Sequence, residues 1–437
     1  MHGPEKILRR KSIPRKNLGC YGALAANAAA YTGPENMNLA DSFADMARFV
    51  AIRRHIHAHP ELGFEEHRTS EMVAQLLAEW GIAVHRGIAG TGVVGVLRRG
   101  GSKRTIGLRA DMDALPLLEA NEFAHKSTHP GRMHACGHDG HTTMLLAAAW
   151  HLASQGSCFD GTVHFIFQPA EEMGKAGAKK MIEEGLFERF PCDAVFALHN
   201  FAVGEVGRFA LNEGALMASS NTYKITLHGR GTHASMPHTG IDPVAAAVTL
   251  AQQLQTLVPR TIASTERALL AVTQLQGSDA PNVIPDSAWV GGTVRTFSIE
   301  AIDKIEARLR TIAEGVAAAH ECTAQITFTR ASPPVVNHAG EARFAASVMR
   351  EVVGDDLVTD DFPAVMGAED FAHMLQARPG CYAFLGNGDG GHRLAGHGPG
   401  PCIIHNTSFD FNDAILPIGA SYFVKLVERW LAAGATF

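Results

Sequence analysis

Residues 133–144 of the 437-residue chain read MHACGHDGHTTM. Three histidines and a cysteine fall between His134 and His141, just ahead of an apolar run. Cys136 and His138 stand two apart, so a thiolate and an imidazole can reach one metal region from a single loop. The stretch is not a zinc finger, because no second cysteine pair follows. It lacks the CxxCH of haem attachment and the HExxH of zincins. A redox thiol and a buried bystander both stay open for Cys136, although no resolving cysteine is near in sequence. Asp139 reads as the N-cap of the helix that follows, with its charge suited to the helix dipole.

The same chemistry recurs at the ends of strand-like segments. TIGLRADMD ends in Asp111 and Asp113, and GTVHFIFQPAEE in Glu171 and Glu172. DAVFALHN delivers His199, and PCIIHN delivers His405. Ligands of open α/β sheets sit outside the carboxyl ends of the strands. A lone strand-end histidine is more often structural, and an acidic pair is often a solvated turn; recurrence at one sheet edge weakens both readings. Metal-assisted hydrolysis needs one carboxylate on the metal and a second group to take a proton from water, and adjacent glutamates can divide those roles.

The elements that must position these residues alternate in type. TSEMVAQLLAEWG reads as an amphipathic helix ended by Gly81, TTMLLAAAWHLAS and AGAKKMIEEGLF as further helices, and GVVGVLR, TIGLRAD, GTVHFIFQ and DAVFALHN as buried strands. This alternation predicts an α/β sheet covered on both faces. From Ser219 the order becomes β-α-β-β-α-β, the split βαβ of ferredoxin-like domains, with a helix opened by Asp242 and Pro243. ASPPVVNH, 331–338, reads as a linker, and the remainder holds too few strands for a domain of its own. The expected organisation is therefore a domain formed by 37–218 and 331–437, with 219–330 inserted into it.

Hydrophobic residues make up 46% and charged residues 19%, the balance of a globular protein with a large core. A net charge of −6 argues against a nucleic-acid binder. No apolar run reaches the roughly 18 residues of a membrane span. The seven cysteines are scattered without a CxxC pair, so a reducing, cytoplasmic setting is expected rather than a disulfide framework. Residues 1–36 are basic, then Ala-rich but too polar for a signal sequence; they are expected to be a disordered extension, with Met37 a credible start.

RADMDALP, MHACGHDGHTTM, FQPAEE, ALHN, GRGTHASMPHTGIDP, PNVIPDSAWVGGTVRTF, MGAEDF and IIHNTSFDFND, in this order, resemble the dinuclear-metal amidohydrolases that include hippurate hydrolase, N-acyl-amino-acid hydrolases and indole-acetyl-amino-acid hydrolases. The resemblance runs from about Arg53 to the C-terminus. It implies a two-domain α/β fold with a mixed, mostly parallel sheet, helices on both faces and an inserted ferredoxin-like lid and dimerisation domain. It implies two divalent ions, Zn, Mn, Co or Ni, held by Cys136, His138, Glu172, His199 and His405. By the same resemblance Glu171 is the general base and Asp113 supports the metal site from behind. Most of the wider family has histidine where Asp111 stands and no cysteine at the later motif, which leaves the preferred metal open. His233 resembles the residue that reaches a neighbouring active site to steady the oxyanion. Asn282 and Arg295 resemble partners of the substrate's carbonyl or carboxylate; Arg295 otherwise reads as a strand-surface ion pair. His134 and His141 are expected to be supporting residues, and RRHIHAHPELGFEE to pack near the site without ligating. The implied substrate is a small N-acyl amino acid, and the implied assembly a homodimer or homotetramer formed through the inserted domain. A dipeptidase or carboxypeptidase with the same metal site, a non-catalytic binding protein and a Cys136 redox sensor are the rival readings.

Overall fold

The computed structural model describes residues 46–154, 159–202 and 204–432. The expectations for 1–36 and Met37 lie outside the described residues. In chain order, a large sheet begins with β1 (Ala83–Ile88), β2 (Gly92–Arg99), β3 (Thr105–Asp111), β4 (Gly161–Gln168), β5 (Ala194–Ala202) and β6 (Phe209–Ala210). A short β7 (Gly214–Met217) leads to β8 (Ser220–His228), β9 (Thr232–His233), β10 (Ala268–Gln276), β11 (Val283–Ile284), β12 (Ser287–Thr296) and β13 (Thr323–Ser332). The chain then returns through β14 (Val335–Asn337), β15 (Val358–Thr359) and β16 (Gly380–Gly388).

The large sheet has the order β1-β2-β4-β3-β5-β16-β6-β15. Its centre is parallel: β3 pairs in parallel with β4 and β5, and β5 with β16. The pairs β1–β2, β2–β4 and β16–β6 are antiparallel, so the sheet is mixed. Side-chain alternation explains why the central strands read as continuous apolar runs. Along β5, Ala194, Phe196 and Leu198 enter one core with helices Met46–Ala58, His138–Ser154 and Leu416–Trp430. Val195 and Ala197 enter a second core on the other face, with Met181 and Phe371. Each face thus removes apolar surface from water at about 25 cal/mol per Å².

The second sheet, β10-β12-β8-β13, is wholly antiparallel. Together with helices Pro243–Gln255 and Ile299–Ala319 it has the βαββαβ topology read from the sequence. It carries its own core, in which Tyr223, Ile225 and Leu227 of β8 meet Leu250 and Leu254 of one helix and Ile305 and Leu309 of the other. Asp242 caps the first helix, accepting from the amides of Val244 (2.8 Å) and Ala245 (3.3 Å).

Several expectations change. The stretch 331–338 is not a plain linker, because Val335–Asn337 pairs with Gly214–Met217 where the chain leaves and re-enters the large sheet's side. The helix expected at 176–187 is two short helices broken at Gly185, whose φ of 84° suits glycine. The helix carrying His138 starts at His138 itself, so Asp139 lies in its first turn and is not the cap. The Gly137 carbonyl instead accepts from the amides of Gly140 (2.9 Å) and His141 (3.0 Å). His405 lies in a turn rather than at a strand end, and His199 lies within β5 rather than at its close.

Candidate metal centre

Parallel β3, β4, β5 and β16 bring their carboxyl ends to one edge, and there the polar residues converge. Ligand-type atoms of Cys136, His138 and His199 lie within 4.8 Å of one another, as do those of Cys136, Glu172 and His405, and those of His138, Glu171 and Glu172. The five residues expected to hold metal therefore form one connected group, with Glu171 beside it. Cys136 Sγ is 3.4 Å from His199 Nε2, and His405 Nε2 is 3.1 Å from Glu172 Oε1. Cys136, His138, Glu172 and His199 are buried, whereas 52% of the His405 side chain is exposed and marks the open side.

Local backbone explains how so short a stretch supplies two of these groups. Gly137 separates Cys136 from His138 at φ +93°, and a Cβ there would lie 2.2 Å from Asn200 Oδ1. Only glycine fits both restrictions. At the far end of the chain His405 adopts φ 62°, rare for a residue with a side chain, and its amide donates to the Ala135 carbonyl at 2.7 Å. That bond ties His405 to the loop that carries Cys136.

A further shell of polar residues fixes the ring orientations. Asp113 accepts from His138 Nδ1 (3.2 Å) and from the backbone amides of Glu171 (3.1 Å) and Glu172 (2.9 Å). His199 donates from Nδ1 to the Asn200 carbonyl (2.7 Å). With Nδ1 of each ring committed, Nε2 is the atom left to face a metal. His141 commits both nitrogens, to Asp111 (2.6 Å) and to Asn200 (2.6 Å), which makes it a supporting residue. His134 is buried with neither ring nitrogen hydrogen-bonded, and it joins none of the converging groups among the described residues. His392 and His397, in the glycine-rich stretch 386–400, meet the backbone carbonyls of Asp410 and Gly398 instead.

The electrostatics favour a cation. Burial works against a charged imidazole, yet Asp111, Asp113 and Glu172 push His138 up to about 10. Burial, with Glu369 and Glu172 nearby, holds Glu171 well above the ordinary carboxylate range. His138 Nε2 is buried without a hydrogen-bond partner, its distance to Asp111 Oδ2 being 3.7 Å. An orphaned nitrogen amid surplus carboxylates, with a thiol alongside, fits divalent ions with nitrogen, oxygen and sulfur donors.

Sequence reasoning missed the layer beneath. Arg109 is buried inside β3 and bonds to Asp111 (2.8 Å), Glu369 (2.8 Å), Asp370 (3.3 Å) and Gln168 (2.8 Å). Tyr382 donates to Glu369 at 2.9 Å. The signal was present in the chain: one arginine within the apolar run TIGLRAD, and a Glu–Asp pair in MGAEDF.

The segment from β8 to β13 contributes nothing to this cluster among the described residues, and within it β9 pairs with β11 in a ladder of its own. His233 is exposed on β9, and its hydrogen bonds run to Ser235. Asn282 is also exposed and accepts from the Ala234 amide through its carbonyl (3.0 Å), so these two stand together. Arg295 is half-buried on β12, where burial lowers its pKa, and its one bond goes to the Ser219 carbonyl (3.4 Å). Among the described residues it forms no ion pair with another strand.

Comparison with known proteins agrees with this geometry. Residues 107–429 match the model of peptidase family M20/M25/M40. The hippurate hydrolase of Campylobacter jejuni is 41% identical over 396 residues, 90% of this chain and 100% of its own length. The IAA-amino acid hydrolase ILR1-like 5 of Arabidopsis thaliana is 40% identical, covering 87% of this chain and 86% of its own. Among solved structures, the Bacillus subtilis YXEP protein, a dinuclear metal binding peptidase, superposes with a TM-score of 0.75 at 31% identity, covering 89% of this chain and 99% of that one.

Proposed function

The chain belongs to peptidase family M20/M25/M40, and on that premise we propose that it hydrolyses the amide bond of N-acyl amino acids, hippurate foremost, to a carboxylic acid and a free amino acid. The observation that carries the reading is the convergence of Cys136, His138, Glu172, His199 and His405 with an uncommitted carboxylate, Glu171, beside them. Those five residues would hold two divalent ions, Zn, Mn, Co or Ni. Such ions polarise a carbonyl and acidify water.

Glu171 takes a proton from the attacking water as oxygen bonds to the carbonyl carbon. It then delivers that proton to the amide nitrogen as the C–N bond breaks. Asp113 holds the turn that aims Glu171 and fixes the tautomer of His138. His233, standing away from its own cluster, would reach the site of a second subunit and donate to the oxyanion. Asn282 and Arg295 would meet the substrate's carbonyl and carboxylate. This arrangement requires a homodimer or homotetramer through the second sheet, whose edge strand β10 exposes Leu269 and Leu275.

Exposed apolar side chains support an apolar acyl group over a charged aminoacyl one. Met173 follows Glu172, while Ile403 and Ile404 precede His405. An aminoacyl substrate would set its ammonium against this rim at a desolvation cost. No helix among the described residues is long and apolar enough to cross a membrane.

The test is turnover by apo-protein reloaded with Zn, Mn, Co or Ni, on benzoyl-, acetyl- and aminoacyl-amino acids. Benzoylglycine should be cleaved fastest. Preference for aminoacyl substrates would replace this reading with a dipeptidase, and no turnover with any metal would favour a binding protein. Activity that survives thorough chelation would point instead to the Cys136 thiol.

A further inference from the structure

The signature RRHIHAHPELGFEE, 53–66, puts no residue in the converging groups among the described residues, yet its last residue touches the turn that carries Glu171. Glu66 is fully buried. Its Oε1 accepts from the Ala170 amide at 2.8 Å, and its Oε2 from Thr91 Oγ1 at 2.6 Å. Ala170 has φ 53° and Met173 φ 61°, so left-handed backbone brackets Glu171 and Glu172 on both sides. Alanine resists that conformation, and something must over-determine it. Asp113 secures the amides of Glu171 and Glu172. Glu66 secures the amide of Ala170 before them, whose carbonyl in turn accepts from the Gly177 amide at 2.9 Å. The same segment closes on the turn from outside: Lys175 Nζ donates to the Gly63 carbonyl at 2.7 Å, and a Cβ on Gly63 would lie 2.9 Å from Ala170.

We propose that Glu66 is a positioning residue for Glu171, holding Ala170 in its left-handed conformation so that the Glu171 carboxylate faces the reacting water. The inference rests on the hydrolytic reading above. Each Glu66 oxygen accepts one hydrogen bond, and these two acceptors are what the turn uses; burial pushes the carboxyl up to about 7. Glutamine keeps that geometry: its carbonyl accepts from Ala170, and its amide donates to Thr91.

The experiment compares Glu66→Ala, Glu66→Gln, Ala170→Gly and the Glu66→Ala/Ala170→Gly pair in the metal-loaded enzyme. Glu66→Ala should lower kcat about ten- to a hundredfold with KM changed less than about threefold and metal stoichiometry intact. Glu66→Gln should stay within about threefold of wild type. In the Ala170→Gly background, where positive φ carries no penalty, the loss from Glu66→Ala should shrink to under about fivefold. Unchanged kcat in Glu66→Ala, or a Gln variant as impaired as the Ala one, overturns the proposal. Should Glu66→Ala not fold, Thr91→Val removes the other anchor of Glu66 and should lower kcat about three- to tenfold; wild-type kcat there overturns it equally. If the wild type cleaves no N-acyl amino acid, the substrate reading fails separately. A crystal structure of Glu66→Ala then decides: Ala170 should leave positive φ and Glu171 should shift, and an unmoved turn ends the idea.

Discussion

Along β5, Phe196 and Leu198 enter one core while Val195 and Ala197 enter another, so the strand is buried on both faces. Along β8, Tyr223, Ile225 and Leu227 are buried, while Thr222, Lys224 and His228 face solvent. The two sheets treat their polar residues accordingly. Cys136, His138, Glu172 and His199 sit in a buried cluster, with Asp113 bonded to His138 and the Asn200 carbonyl to His199. His233 and Asn282 stand on an exposed surface with few bonds of their own. The chain gathers its candidate metal ligands within itself. On the proposed reading, His233 and Asn282 wait for closure or a second subunit to bring them to the substrate. Preorganisation of charged groups demands burial and bracing, whereas a group that must move cannot afford either.

The contrast is broken most severely at Glu171. On the metal side, Glu171→Gln keeps the shape and removes only the base. Turnover should fall about 10²–10⁴-fold while metal content, measured by atomic emission, stays at the wild-type level. Near-wild-type turnover would mean that the braced cluster binds but does not carry the proton transfer.

On the other side, His233→Ala should lower kcat by about 10²–10³-fold, as loss of an oxyanion donor does, without altering metal content or melting temperature. A mixing experiment sharpens the comparison. Glu171→Gln subunits carry an intact His233, and His233→Ala subunits carry an intact Glu171. If His233 serves a partner's site, a reassembled mixture should recover activity that neither variant has alone. Additive, unrecovered rates would place His233 in its own subunit's site through closure of the chain.

The sequence revealed the central strands because both faces of each are apolar, and the second sheet because its period-two alternation is one-sided. What escaped it depends on tertiary pairing. Two-residue strands such as Phe209–Ala210 and Val358–Thr359 are held by partners far along the chain and carry no pattern of their own. Val335–Asn337 was hidden by its prolines, which read as a linker. The ligand-type residues were legible because chemistry limits their types. Their supports were not: Arg109 with Glu369, or Glu66 with Ala170, are ordinary residues until the fold makes them neighbours. Asp139 was misplaced for the same reason. A helix-start aspartate suggests a cap, but here its carboxylate meets His57 at 2.9 Å and Arg53 at 3.5 Å, contacts that cross more than 80 residues of chain.

That last pairing gives the gentlest way to sharpen the contrast between a braced and an open region. His57 is fully buried between Asp139 and Glu119, at 2.9 and 3.2 Å. Burial opposes its charge, but the two carboxylates push it up to about 9 from 6.5. A histidine whose folded pKa is raised stabilises fully below the unfolded value near 6.5, and that stability is lost as pH rises through about 9. The amount at stake is about 2 kcal/mol, given how strongly such a buried pair is coupled. His57→Gln removes the titration while keeping a hydrogen-bonding side chain. Calorimetric scans from pH 6.5 to 9.5 should show wild type more stable at the acid end, with its advantage over the variant shrinking by roughly 2–5 °C towards pH 9.5. Parallel curves across that range would mean that His57 stays neutral in the fold, and that the rigidity of the metal side comes from packing rather than from its buried ion network.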